Sequence, residues 1–150
     1  MARHTVLHVV LFLLFLVVAA GLAAALAVVF APVELTMKEE DCTLSFLFYK
    51  QSAAYAEIEE VALLEEEQYS SKKVKSYGGV SKAIGTYKND TFGKHFRLTY
   101  SENDHNFIAI KKKDGSVTVF NQKTAKATSA LYKKLLAKLT PETQEEAQES

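Results

Sequence analysis

Two groups of lysines and one set of glutamates are the side chains whose spacing invites chemistry. Lys111, Lys112 and Lys113 run together just before Asp114-Gly115, and Lys72, Lys73 and Lys75 crowd a second short segment. Clustered ammonium groups draw anions, and opposite an anionic membrane surface each base contributes about 1 kcal/mol. Both groups are therefore candidate contacts for lipid headgroups or for an acidic protein partner. The plainer alternative is that they blunt an exposed edge and keep the domain soluble. Glu57, Glu59, Glu60 and Glu65-Glu66-Glu67 would supply paired carboxylates for acid–base work. No apolar pocket marks them for the separation of pKa values that such work needs, so a solvated acidic face fits them better.

Other reactive patterns are missing from the sequence. It holds no nucleophile elbow, no phosphate-binding Gly-Lys-Ser/Thr loop and no His-Glu-x-x-His pair. His95 and His105 stand ten residues apart with Asp104 beside the second, an arrangement more often packed or solvent-facing than metal-binding. Cys42 is the only cysteine, which rules out an internal disulfide and a thiolate metal cluster. Glu39-Glu40-Asp41 precede it where lipidation would want small apolar residues, so a partly buried, inert thiol is expected. Asn89-Asp90-Thr91 fits the glycosylation pattern, which matters only in a secretory eukaryotic setting. The expectation is a protein without catalysis and without a cofactor.

Net charge is zero, but it is polarised along the chain. Residues 34–67 hold ten acids against two lysines, a balance of −8, and residues 72–126 hold twelve bases against four acids, a balance of +8. A uniformly basic chain would suggest nucleic acid. Two opposed halves that face each other across a fold, with no nucleic-acid partner, suit this pattern better.

What must position these groups begins at the N-terminus. Residues 5–33 contain no Asp, Glu, Lys or Arg, and His8 is their only ionisable side chain. About 20 apolar residues cross a bilayer core, so this run predicts a transmembrane helix over 1–33 that holds the chain in a membrane. The alternative is a signal peptide cut near Ala27, where Ala25-Leu26-Ala27 offers small residues, lowering the mass by about 2.5 kDa; its apolar region is normally about 7–15 residues. Arg3 lies before the run and acids follow it, which favours an N-terminus inside and a domain on the extracytoplasmic face of the cell membrane. Gly21-Leu22-Ala23-Ala24-Ala25 has the small-x-x-x-small spacing that permits self-association through the span.

After Pro32, residues 34–42 read as a charged linker and 43–139 as one domain. Leu, Phe and Tyr over 43–49 suit a strand. Residues 55–64 carry apolar groups at intervals of three, although 58–64 equally suit a strand. Residues 65–67 and 70–75 read as exposed loop, with a turn at Gly78-Gly79. Strands follow at 83–87, 95–100 and 107–111, with Gly85 and Gly93 placed for bends or bulges. Alternating Ile108 and Ile110, then Asp114-Gly115, then Val117 and Val119 form a strong hairpin signal. Thr128, Leu131, Tyr132, Leu135, Leu136 and Leu139 share one face of a helix over 124–139, closed by Pro141. The tail over 140–150 is polar and predicted to be disordered. The fold class is α+β: a transmembrane helix, about seven antiparallel strands, and a C-terminal helix that plugs the open end of the sheet.

Tyr55-Ala56-Glu57-Ile58-Glu59-Glu60-Val61, Gly78, Gly85-Thr86-Tyr87, Phe92-Gly93-Lys94, Ile108-Ala109-Ile110-Lys111 with Asp114-Gly115, Val119-Phe120-Asn121 and Leu131-Tyr132-Lys133-Lys134-Leu135 form an ordered series. In order and spacing it resembles the bacterial pleckstrin-homology-like (bacterial PH) domain family over residues 49–139. The resemblance implies two near-orthogonal antiparallel sheets closed at one corner by a C-terminal helix, often beside a membrane span. Ser76-Tyr77-Gly78-Gly79 departs from the more polar, Asn-containing turn of that family. The family carries no fixed catalytic or ligand set to transfer, and fold does not imply function. The expected protein is a single-pass membrane protein presenting a PH-like binding or scaffolding domain to a protein partner or membrane surface. The alternative is an exported ligand-binding or inhibitory domain.

Overall fold

A computed structural model describes residues 2–65, 72–76, 82–101 and 106–140. The chain forms two units, Met1–Ala31 and Pro32–Ser150. The first is helix α1, Ala2–Phe30. Its stretch Val6–Ala27 is 22 residues long and apolar enough to cross a membrane. At about 1.5 Å per residue it covers about 33 Å, against about 30 Å for a bilayer core. Its side chains are exposed from Val6 to Ala27, as expected for a helix apolar on every face with no protein core of its own.

The second unit is α+β, with nine strands among the described residues where about seven were expected. Sheet A is the antiparallel meander β1 (Glu34–Met37), β2 (Asp41–Phe46) and β3 (Tyr49–Ala54). The expected linker over 34–42 is therefore strand β1, the turn after it and the start of β2. Its charges hid an edge strand in which only Leu35 and Met37 need turn partly inward. The expected strand over 43–49 is broken by a two-residue turn at Leu47-Phe48, since Phe46 pairs with Tyr49.

Sheet B contains β4 (Ile58–Glu65), β5 (Lys72–Ser76), β6 (Lys82–Asn89), β7 (Gly93–Tyr100), β8 (Asn106–Lys112) and β9 (Val117–Phe120), in the order β4-β8-β9-β7-β6-β5. Residues 58–64 thus resolve as strand after a single tight turn, Tyr55–Glu57. Lys72 to Lys75, expected in a loop, belong to β5. The β7–β9 pair is parallel, against an expectation of antiparallel pairing throughout. This follows from β9 entering as a hairpin with β8 beside a strand it does not follow in sequence. Gly78, Gly79 and the tail over 141–150 lie outside the described residues.

The Asp114-Gly115 hairpin forms as its residues require: Gly115 takes φ 82, and Asp114 Oδ1 accepts from Ser116 N at 2.8 Å and Ser116 Oγ at 2.6 Å. Helix α2 runs Ala125–Leu139, with Thr124 as its cap accepting from Ala127 N at 3.2 Å. Leu135 and Thr128 are buried, Leu131, Tyr132, Leu136 and Leu139 half-buried, and the helix packs on β8 and β4.

Sheet A lies over the middle of sheet B. Tyr49 stacks on Phe96 with centroids 4.5 Å apart, and Thr118 Oγ1 donates to Gln51 Oε1 at 3.0 Å. Between the sheets, Cys42, Leu44, Ile110, Thr118 and Phe120 line a gap of about 20 Å³, room for about one water. Cys42 is buried there, and burial, followed by the Asp41 charge, pushes its thiol pKa up.

One polar network joins the layers. Val33 is 1% exposed, and its N–H donates to Tyr100 Oη at 2.9 Å while its carbonyl accepts from Gln122 Nε2 at 3.1 Å. Asn121 Oδ1 accepts from Tyr100 N at 2.7 Å, and Gln122 N donates to Thr128 Oγ1 at 3.0 Å. Tyr100→Phe keeps the ring and orphans the buried Val33 N–H. It is expected to cost about 1–2 kcal/mol in thermal unfolding of the full chain in detergent. In the same assay Leu47→Asn, which tolerates the φ of 51 held at that turn, is expected to gain about 1 kcal/mol.

Candidate functional site

Pairing registers give the second unit two ends. At one, the root, Glu34 faces Ser45, the β2–β3 tip follows, and Lys82 pairs with Tyr100. The two sheets share this end, because Val33 bonds Tyr100 and the Lys82 ammonium sits 5.3 Å from the Phe46 ring centroid. At the other, distal end lie the Met37–Cys42 pair, the turn at Tyr55–Glu57, the β8–β9 turn and the β6–β7 turn. Lys113 N donates to Glu57 O at 2.9 Å, tying the distal turns of both sheets together.

All six lysines singled out from the sequence belong to β5 or the β8–β9 hairpin, and the charges of Lys75, Lys111, Lys112 and Lys113 are unequal in availability. Lys111 Nζ donates to Glu59 Oε1 at 3.0 Å, and Lys112 Nζ lies 3.8 Å from Asp114 Oδ2. Such surface pairs contribute about 0–1 kcal/mol, and the paired carboxylates offset part of the charge that an anion would meet. Lys113 and Lys75 are exposed. A shallow hollow of about 270 Å³ at this turn is lined by Ala56, Glu57, Lys112, Lys113 and Asp114, so it carries both signs. The Asp114 carboxyl is held below its usual pKa, chiefly by the Ser116 hydroxyl.

The register adds two lysines that sequence spacing did not single out. Lys72 pairs with Lys88, and Lys88 pairs with Lys94. Three lysines thus stand in one row across β5, β6 and β7 at the distal end, with Lys88 and Lys94 exposed. Directly opposed like charges destabilise a sheet, so this row has a cost that a counter-charge would offset. The signal was present in the turn Asn89-Asp90-Thr91-Phe92-Gly93. Asn89 Oδ1 accepts from Phe92 N at 2.7 Å and Gly93 takes φ 61, which sets Lys88 opposite Lys94.

The remaining candidates behave structurally. Glu57, Glu59 and Glu60 are exposed. His95 is buried, its Nδ1 donating to Gly93 O at 3.0 Å with its ring edge-on to Phe92. Arg97 stacks near Tyr87 and Phe107 and donates to Thr99 Oγ1 at 2.7 Å. His105 lies outside the described residues, and among those described no three His, Cys, Asp or Glu side chains gather as metal ligands. An open groove of about 530 Å³ runs between β1 and α2, walled mainly by Pro32, Val33, Leu35, Ala127, Ala130 and Leu131. Comparison with known proteins gives no match to a family model, a curated protein or a solved structure.

Burial, opposed by the Gly93 bond and reinforced by Arg97, lowers the His95 pKa below 6.5. The unfolded chain then binds the extra proton first, so stability is full above the unfolded pKa and falls as pH drops towards the folded one. Unfolding midpoints are expected to decline from about pH 7 to pH 5, and His95→Gln is expected to flatten that decline.

Proposed function

We propose that this chain is a single-pass membrane protein whose PH-like domain is a non-catalytic binding module, and that its distal basic end docks an acidic segment of a protein partner. The directly opposed, exposed pair Lys88–Lys94, with Lys72 next to it in register, carries this reading, because like charges so placed favour an anionic counterpart. Its position also favours a protein over the anchoring bilayer: it stands at the end away from Pro32, where the chain leaves the apolar helix. Among the described residues Glu57, Glu59 and Glu60 are exposed and the gap between the sheets holds about one water, which supports a binding rather than a catalytic reading. Support for the PH-like resemblance comes from two strand layers followed by a C-terminal helix packed on β8 and β4 of the larger one. The parallel β7–β9 pair stands outside the pattern that the resemblance implies.

Crosslinking in intact membranes checks this reading with the full-length chain. Lys88→Glu with Lys94→Glu is expected to reduce crosslinked protein about tenfold, and raising salt from about 0.1 to 0.5 M is expected to act the same way on the wild type. Lys126→Glu, an exposed change on α2, is expected to leave recovery unchanged. Equal recovery from both variants would count against the basic row.

A further inference from the structure

The β2–β3 tip breaks two local rules at once. A two-residue hairpin loop ordinarily carries Asn, Asp or Gly, which reach positive φ cheaply; here it carries Leu47 at φ 51 and then Phe48. A solvent-facing loop is ordinarily polar; here Phe48 is 101% exposed and Leu47 40%. The strands behind hold the tip firmly, since Phe46 is buried and Tyr49 is stacked on Phe96. Bulky apolar side chains kept in a strained turn and out in water sacrifice stability, and such exceptions gather where a function requires them.

Location supplies the occupant. In the β1–β2 register Glu34 faces Ser45, so β2 runs on through Phe46 to the tip in the direction that leads from β1 back to Val33 and Pro32. Helix α1 ends at Phe30, leaving only Ala31, Pro32 and Val33 before β1. Extended chain covers about 3.3–3.6 Å per residue, so covalent reach keeps Glu34 within about 14 Å of Phe30. The interfacial layer of a bilayer is about 5–8 Å deep on each side. Behind the tip, Glu34, Ser45 and Lys50 form a cross-strand polar row, with Glu34 and Lys50 exposed. An apolar tip backed by a charged row matches the boundary between acyl chains and headgroups.

We propose that Leu47 and Phe48 insert into the lipid interface of the bilayer that α1 crosses, an inference that rests on the membrane-spanning reading of α1. The tip then gives the domain a second, non-covalent hold on the membrane and limits its rotation about the tether.

The test uses the full-length chain in phosphatidylcholine vesicles, with an environment-sensitive fluorophore on Phe48→Cys or on Thr91→Cys, an exposed residue of the distal β6–β7 turn. Cys42 is buried and serves as the unlabelled background. Emission from position 48 is expected to shift blue. Lipid bearing a nitroxide high on the acyl chain is expected to quench it several-fold more than emission from position 91. Equal quenching at both sites, with the chain still resisting carbonate extraction, overturns the tip proposal and leaves the span intact. A blue-shifted label indifferent to the nitroxide lipid means that protein covers the tip, and also overturns it. Release of the intact chain by carbonate removes the spanning reading and this inference with it.

Discussion

Val33 is where the physics of this protein is most constrained. Three residues past the end of an apolar helix, it must enter a packed domain while its backbone N–H and C=O lose water, and each then needs a partner. Tyr100 and Gln122 supply them. Because Tyr100 and Asn121 are also bonded, and Gln122 reaches Thr128 of α2, one small network fixes the start of sheet A, the ends of β7 and β9, and the first turns of the helix. The apolar contacts between sheets supply most of the driving force. This network decides their register.

The two chemically suggestive features both sacrifice stability locally. Opposed lysines in one row repel, and a leucine at positive φ beside a bare phenylalanine is strained and wet. The scaffold tolerates both because its middle is well buried: Leu98, Ile108, Val119 and Phe120 are wholly enclosed. They also lie at opposite ends of the domain, so the two local costs do not add at one place in the fold.

Much of the architecture was legible because it rests on local periodicity. The apolar run became α1, Asp114-Gly115 turned a hairpin, and the leucine spacing of 124–139 became the stripe of α2 that carries its buried and half-buried side chains. What escaped notice depended on pairing between distant residues or on residues out of character. β1 was hidden by its acids, since an edge strand needs only alternate residues turned inward. The Leu47-Phe48 turn was hidden because both residues belong by type in a strand. The lysines of β5 were read as a loop cluster, and Lys88 and Lys94 joined them only once strand register brought three chain segments side by side.

Strand β9 carries a consequence for how the molecule comes into being. It is the seam of sheet B: β4 and β8 lie on one side of it, β7, β6 and β5 on the other, and all four of its residues are buried. Until Val117–Phe120 have been synthesised and released, the earlier meander offers an open β7 edge and an uncovered apolar face. Sheet B can therefore be completed only once its last strand is available, and part of that closure is the β7–β9 pairing between segments far apart in sequence, the kind of contact that forms slowly.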